Sequence, residues 1–362
     1  MAVDASRPPT LSAALRRWGI QFSWVAVGAL LLVSPVATQL PTAVQYAPFL
    51  ASVVVFGFPH GAVDHLVPDR LGEVSLRRSL AVVGVLYAVL GGLYAGWWFL
   101  APVSAFAFFI LLTLAHWGQG DLYALLAFAG VDHVPTRAER ALAVVVRGGL
   151  PMLVPLIAFP AEYRAVAAAL VELFAPSAGL LAPFFGETAR LAVAAGFGGV
   201  TLLALAAGAV RVWQGAARRP WLVDAGEVTL LWLYFLLVPP VLAIGLYFCF
   251  WHATRHLARL ALVDDAEGPP PTDDRLARLV GGRGAGTALA EGDLAGALRK
   301  LARDAAPMTV GGLVIVGLLL LVVPRGAAGA EGLLAVYLVG IAVLTLPHVA
   351  VVTWMDLRQG VW

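Results

Sequence analysis

The sequence predicts an all-α protein, a polytopic transmembrane helical bundle. Of its 362 residues, 60% are hydrophobic and only 13% are charged, whereas about a quarter of the residues in a typical soluble domain are charged. Apolar runs of about 20 residues, each long enough to cross a ~30 Å hydrocarbon core, recur along the whole chain. The formal net charge of +2 gives no reason to expect nucleic-acid binding. We therefore expect one integral-membrane domain over residues 1–362, with the lipid bilayer as its solvent.

The apolar runs predict eight to ten spans, and ten are favoured. They cover residues 19–40, 47–67, 79–100, 102–126, 141–160, 189–212, 225–239, 241–262, 307–324 and 332–354. Pro239 and Pro240 divide the short seventh and eighth runs, which leaves counts of eight or nine open. The first run is longer than the apolar core of a usual signal peptide, so it is predicted to be a retained helix.

Two segments between the spans have a different composition. Residues 161–188 mix charged residues with alanines and predict an interfacial or re-entrant helix. Residues 264–306 are the longest polar stretch, with three prolines at 269–271 and a glycine-rich run at 281–286. This composition predicts a flexible cytoplasmic loop, with one short amphipathic helix near 291–303.

The distribution of basic residues predicts the orientation of the chain, because cytoplasmic loops of membrane proteins carry an excess of Lys and Arg. In the ten-span topology almost all basic positions outside the spans fall on one side; the opposite loops carry only Arg164, Arg190 and Arg325. The basic side includes Arg16, Arg17, Arg70, Arg77, Arg78, Arg137, Arg140, Arg211, Arg218, Arg219, the cluster at 275–303 and Arg358. We therefore predict a multi-pass protein of the cell membrane with both termini in the cytoplasm.

Six of the seven histidines lie inside or at the ends of the predicted spans. In this topology spans 2, 4, 8 and 10 run in the same direction, so these histidines all fall in the cytoplasmic half of the bilayer. Polar groups inside membranes are costly and tend to mark functional sites, which favours one shared metal or cofactor site. The six are His60, His65, His116, His252, His256 and His348. His133, in the polar segment 131–135, is interpreted as a solvated surface residue.

The histidine spacing favours a metal site. His252 and His256 are four residues apart, so both project from one helix face, as two ligands of one ion would. His60 and His65 are five apart, about 140° around a helix, and would bind one ion together only if Pro59 kinked the helix. Imidazole ligands suit Fe, Cu, Zn or Ni, and the single cysteine, Cys249, excludes a thiolate cluster.

Four carboxylates are embedded in the predicted spans or lie at their ends. Each could accept the second ring N–H of a ligand histidine and so fix its tautomer. Each could equally be a charge at the end of a span, in the membrane interface. They are Asp64, Asp121, Glu227 and Asp356.

Four segments of the sequence resemble the motifs of the Brp/Blh family of β-carotene 15,15′-dioxygenases, which is linked to bacteriorhodopsin biogenesis. The proline–histidine–glycine and aspartate–histidine pattern of that family is similar to residues 58–65. Its second histidine segment resembles 115–121, its HxxxH segment 250–256, and its C-terminal motif 346–356. The likeness extends from about residue 50 to 360.

The resemblance implies an integral-membrane enzyme that uses Fe(II) and O₂. It would cleave the central 15,15′ double bond of β-carotene, or of a related carotenoid, into two all-trans-retinal molecules. The implied iron ligands are His60, His116, His252 and His256, although His65 or His348 could replace one of them. Residues expected to support the ligands or contact the substrate are His65, His348, Asp64, Asp121, Glu227, Asp356, Trp117 and Trp251.

Two other classes of membrane protein also use histidines inside their spans. Membrane di-iron desaturases resemble one another in having several HxxxH and HxxHH clusters, but here HxxxH occurs once and HxxHH never. A non-enzymatic membrane protein that binds haem, a carotenoid or a retinoid and supports opsin assembly stays an alternative. A functional link to a retinal-binding opsin is expected for the dioxygenase and for this non-enzymatic alternative.

Overall fold

A computed structural model describes residues 9–37, 39–52, 61–264, 284–325 and 327–362. All regular secondary structure in these ranges is helical, with no strand, as the composition predicts. The helices pack side by side into a bundle that buries continuous apolar clusters between them.

Twelve helices are numbered here in chain order. They are α1 (9–32), α2 (Thr42–Ser52), α3 (Leu76–Leu100), α4 (Pro102–Ala129), α5 (Arg137–Ala158), α6 (Pro160–Glu172), α7 (Glu187–Trp213), α8 (Arg218–Leu237), α9 (240–264), α10 (Ala285–Ala290), α11 (Leu294–Val322) and α12 (Gly329–Arg358). Short helical turns lie at Ser34–Ala37, Asp64–Leu66, Val67–Arg70 and Ala178–Phe185. Single π-helical turns lie within α1, α3, α4 and α9 at Arg17–Gln21, Tyr87–Gly91, Leu125–Ala129 and Phe248–His252.

Seven helices of the described residues are long and apolar enough to cross a membrane by length and composition: α3, α4, α5, α7, α8, α11 and α12. They coincide with seven of the ten predicted spans. The other three predicted spans fall on α1, on α2 with residues 53–60, which lie outside the described residues, and on α9. Helix α9 carries two histidines and two arginines in its second half, which lower its hydropathy below that of the other spans.

The boundary predicted between a polar loop and span 307–324 was wrong. Helix α11 joins the amphipathic segment near 291–303 to that span as one continuous helix, and Pro307 lies inside it. Residues 265–283 of the predicted loop lie outside the described residues. The segment 161–188 forms α6 and the short turn Ala178–Phe185, and α6 packs on the bundle through Ala167, Leu170 and Val171.

The outer surface of the bundle is apolar, as expected of a surface that contacts lipid. Leu100, Trp213 and Leu321 are 87%, 88% and 82% exposed. Large apolar side chains are exposed along α3, α7 and α11 as well. In water this surface would be a severe aggregation hazard, so the described chain is a polytopic membrane protein.

Helices α4 and α5 approach each other more closely than side chains would allow. A Cβ atom on Gly148 would lie 1.7 Å from the carbonyl oxygen of Leu114, and one on Gly118 would lie 2.2 Å from that of Val144. Small residues permit this kind of backbone approach in membrane bundles. The contact holds the second half of α4, which carries His116, against α5.

We predict that Gly148→Ala destabilises the protein, because the added methyl group forces α4 and α5 apart. Overpacking of this kind costs about 1–3 kcal/mol. The thermal unfolding midpoint of the purified protein in detergent should fall. Gly199→Ala, on α7, is the matched control, since its Cβ would meet nothing within 4 Å. Equal midpoints for the two variants would contradict the prediction.

Candidate active site

Four histidine side chains from three helices converge in the interior of the bundle. His116 comes from α4, His252 and His256 come from α9, and His348 comes from α12. The ring centroids are 4.8 Å apart for His116 and His252, 4.7 Å for His116 and His348, and 5.2 Å for His256 and His348. None of the four is more than 4% exposed. We call this group the histidine cluster.

Within the cluster, the Nε2 atoms of His116 and His252 are 3.1 Å apart. Two nitrogen ligands, each about 2.1 Å from a shared ion and about 95° apart, would lie at this separation. The rings of His252 and His256 are nearly parallel, with an interplanar angle of 15° and centroids 6.5 Å apart. The HxxxH pair therefore projects from one face of α9, as its spacing predicts.

His348 is oriented by a carboxylate. Oδ2 of Asp64 lies 2.7 Å from Nδ1 of His348, and it also accepts a hydrogen bond of 2.7 Å from the hydroxyl of Tyr87. An ionised carboxylate can only accept, so Nδ1 carries the proton and Nε2 carries the lone pair that a metal would use. Gly61 packs on the His348 ring, where a Cβ atom would lie 3.3 Å from Nδ1.

A network of buried ion pairs lies directly beside the cluster. Glu227 on α8 binds both Arg147 on α5 and Arg255 on α9, with shortest distances of 2.6 Å to each. Asp121 on α4 binds the same two arginines at 3.4 and 3.2 Å. All four side chains are at most 2% exposed. We call this group the ion-pair network.

Two tryptophans extend the ion-pair network. Trp251, next to His252, donates from Nε1 to both Asp121 oxygens at 2.9 and 3.0 Å. Its ring lies 4.0 Å from the guanidinium carbon of Arg255. Trp24 on α1 donates to Glu227 at 2.5 Å. The network therefore joins α1, α4, α5, α8 and α9.

The solvated position predicted for His133 was wrong. Its side chain is buried, and Nε2 lies 2.9 Å from Oδ2 of Asp224. Asp224 also accepts hydrogen bonds from Arg147. His133 therefore belongs to the edge of the ion-pair network, because Asp224 on α8 lies within hydrogen-bond distance of the segment that follows α4.

Two apolar cavities flank the histidine cluster. The His116 cavity has a volume of about 910 Å³ and is lined by His116, Trp117 and mainly phenylalanine and aliphatic side chains. The His348 cavity has a volume of about 880 Å³ and is lined by His348 and Tyr87 with residues of α3, α11 and α12. The two cavities share the wall residues Phe248, Ile341 and Thr345.

A third cavity adjoins the His116 cavity. Its volume is about 980 Å³, and it shares Val166, Leu170 and Leu334 with the His116 cavity. Its rim carries two exposed carboxylates, those of Glu162 and Glu331. A cavity with a polar rim therefore lies next to the apolar His116 cavity.

Comparisons with known proteins identify the family. The sequence profile described as beta-carotene 15,15′-dioxygenase matches residues 51–356. The chain belongs to this family. It is 47% identical, over 96% of this chain and 94% of the relative, to a protein of Halobacterium salinarum named probable beta-carotene 15,15′-dioxygenase Blh. It is 32% identical, over 89% of this chain and 87% of the relative, to the probable dioxygenase Brp of the same organism. No solved structure matches the chain.

The structure brings together four of the histidines predicted for the dioxygenase site, namely His116, His252, His256 and His348, whereas His60 lies outside the described residues. His65 makes no ring contact with the histidine cluster in the described part of the chain; its carbonyl accepts a hydrogen bond from Ser79, and it faces Arg70 and Asp304. The ring centroids of Trp117 and His252 are 5.4 Å apart, and Trp251 donates a hydrogen bond to Asp121.

Of the four predicted carboxylates, only Asp64 binds a histidine of the cluster. Asp121 and Glu227 bind the arginines of the network, and Asp356 binds Arg259 at 2.8 Å. These arginine partners were missed by the sequence analysis. Their position in the sequence could have identified them as partners of buried carboxylates. Arg147, Arg255 and Arg259 lie inside predicted spans, where an unpaired charge is costly.

No group of three or more His, Cys, Asp or Glu side chains among the described residues is arranged to hold a metal ion. The pair His116 and His252 has the separation of two ligands of one ion, and Asp64 sets His348 in a ligand tautomer. The donor set therefore fits a metal in part, and the predicted iron ligands stay a prediction.

We predict that Glu227→Ala reduces the yield of folded protein, since it removes the closer of the two carboxylates that Arg147 and Arg255 share in an apolar interior. Breaking a buried ion pair costs about 3–5 kcal/mol. Size-exclusion chromatography in detergent and thermal unfolding measure the effect. Glu172→Ala is the control, because Glu172 is exposed. A Glu227→Ala protein as stable as the control would show that the network does not hold the helices together.

Proposed function

We propose that this chain cleaves the central 15,15′ double bond of β-carotene with O₂ to give two all-trans-retinal molecules, as a non-haem Fe(II) dioxygenase. Membership of the β-carotene 15,15′-dioxygenase family supports the reaction. The observation that carries the proposal for this chain is the position of the histidine cluster between two apolar cavities.

The two cavities suit a long, symmetric polyene that reacts at its midpoint. Such a substrate needs apolar space on both sides of the reactive centre, and one mainly apolar cavity lies beside His116 and another beside His348. A molecule with one half in each cavity would cross the wall formed by Phe248, Ile341 and Thr345, where His116 and His348 meet. Related carotenoids of similar length fit the same argument.

The protein contributes position and exclusion of water. The cavity walls are aromatic and aliphatic, and burial of the four histidines keeps bulk water from the reacting bond. The ion-pair network holds α4 and α9, which carry three of these histidines. Cleavage of a carbon–carbon double bond by O₂ needs no net proton transfer, so no acid–base pair is required in the cavities.

The residues that would hold iron are His116, His252 and His256, with His60 or His348 as the fourth ligand. His60 is the ligand implied by the family motif, and the proximity of His348 to His116 and His256 supports His348. Bound Fe(II) would supply the activation of O₂, which organic side chains do not provide.

Lateral entry from the bilayer suits a substrate that is almost insoluble in water. The His348 cavity ends at Gly84 on α3 and Gly311 on α11, and both glycines are exposed. A Cβ atom on either would meet nothing within 4 Å. Helices α3 and α11 each pack on α12, and we propose that the substrate enters between them from the lipid-facing side.

We further propose that the protein lies in the cell membrane with both termini in the cytoplasm. The excess of Arg and Lys on one side of the predicted topology supports this orientation. A retinal-binding opsin is the proposed partner, since it would consume the product.

Expression in cells that make β-carotene tests the reaction. We expect the orange colour to fade and retinal to appear on chromatography, with no change in cells that carry the empty vector. Unaltered carotenoid bound to well-folded protein under air with iron present would instead support the non-enzymatic carotenoid-binding alternative.

We predict that His252→Ala lowers the iron content of the purified protein to background and abolishes cleavage, because it removes one of the two Nε2 atoms that face each other. Iron is measured by mass spectrometry, together with the elution profile as a check of folding. His133→Gln is the control, since His133 is buried but bonded to Asp224, outside the cluster. Wild-type iron content in His252→Ala would exclude His252 as a ligand.

A further inference from the structure

Thr113 presents an unpaired hydroxyl to the His116 cavity. It lies on α4, three residues before His116, so the two side chains share one helix face. The residue is only 5% exposed and lines the His116 cavity. Within the described part of the chain, its Oγ1 has no hydrogen-bond partner.

Three other threonines in helices of the bundle satisfy their hydroxyls locally. The side chains of Thr201, Thr229 and Thr345 each donate to the carbonyl four residues earlier, at 2.9, 2.9 and 2.7 Å. This is the usual arrangement of threonine in an apolar helix. Leaving a buried hydroxyl unpaired is unfavourable, so a ligand that accepts from Thr113 would remove that penalty.

The substrate and the products differ in what they offer to this hydroxyl. A hydrocarbon carotene has no hydrogen-bond acceptor, whereas each aldehyde product carries one carbonyl oxygen. In the cleavage the central C=C bond and the O–O bond both break, and each of the two carbons gains one oxygen atom. No proton is transferred in this reaction. A hydroxyl near the reacting carbons can therefore assist it by donating a hydrogen bond to an oxygen atom, and not as an acid or a base.

We infer that Thr113 donates a hydrogen bond to the aldehyde oxygen that forms on the half of the substrate held in the His116 cavity. This inference rests on the proposed function. The bond forms only as the C=C bond breaks, so it stabilises the later part of the reaction and the product, and leaves carotene binding unchanged.

No described residue that lines the cavity on the other side of the cluster offers the same donor. Tyr87 lines the His348 cavity, but its hydroxyl proton is used in the hydrogen bond to Asp64. The two halves of a symmetric substrate therefore meet different surroundings. One aldehyde is held by Thr113, and the other leaves its cavity without this contact.

Three variants of the purified, iron-loaded protein test the assignment. Thr113→Val removes the hydroxyl at nearly constant shape, and Thr113→Ser keeps it. Thr201→Val is the matched control, because Thr201 is also 5% exposed but donates to Phe197 and lies on α7, outside the cavities. If Thr113→Val is not recovered folded, Thr113→Ala takes its place.

We expect kcat of Thr113→Val to fall roughly five- to tenfold, the factor that one neutral hydrogen bond contributes, with KM for β-carotene unchanged. Thr113→Ser and Thr201→Val should retain the wild-type kcat. Binding of all-trans-retinal without O₂, followed by tryptophan quenching, should weaken by a similar factor in Thr113→Val alone, whereas β-carotene binding should not change.

Wild-type kcat and retinal affinity in Thr113→Val would overturn the assignment. A Thr113→Ser protein as slow as Thr113→Val would also overturn it, because it would reveal a role in packing. If the wild-type protein forms no retinal under the same conditions, the proposed function fails and this inference fails with it.

Discussion

The arrangement of this bundle depends on a constraint that operates inside an apolar solvent: a charge buried there must be paired. Arg147 and Arg255 are each bound by Glu227 and Asp121, and these four residues come from α4, α5, α8 and α9. Removing any one of them would take an ion-pair partner away from two buried charges that water does not reach. The network therefore sets the relative height and rotation of these helices, two of which carry histidines of the cluster.

The geometry of the histidine cluster follows from this relative height and rotation of the helices. Asp121 lies five residues after His116, while Trp251 and Arg255 are interleaved with His252 and His256. When Asp121 binds Trp251 and Arg255, the rings of His116 and His252 are brought edge to face, with 3.1 Å between their Nε2 atoms. The close contact of α4 with α5 at Gly118 and Gly148 also fixes the position of the part of α4 that carries His116. His348 is set independently, by Asp64.

The helix with the most site residues is also the least apolar of the predicted spans. Helix α9 holds two cluster histidines and two buried arginines, and for that reason it does not have the hydropathy of a simple span. Such a helix is stable in a membrane only when neighbouring helices cover it, and each of these four side chains is at most 3% exposed. The histidines and arginines that lower the hydropathy of α9 are thus the same residues that the neighbouring helices bury.

The sequence by itself determined the helical membrane class, the position of seven spans, the family, and the shared face of His252 and His256. All of these depend on local composition, on short motifs or on the period of one helix, which lipid enforces by requiring apolar surface and satisfied backbone groups. Only the tertiary structure decided which side chains meet. The contacts of His116 with His252, of Asp121 with Arg255 and of Asp64 with His348 join residues 136, 134 and 284 positions apart. No local pattern encodes such pairings, because they depend on how several helices pack at once. For the same reason the buried position of His133 and the continuity of α11 were not predicted.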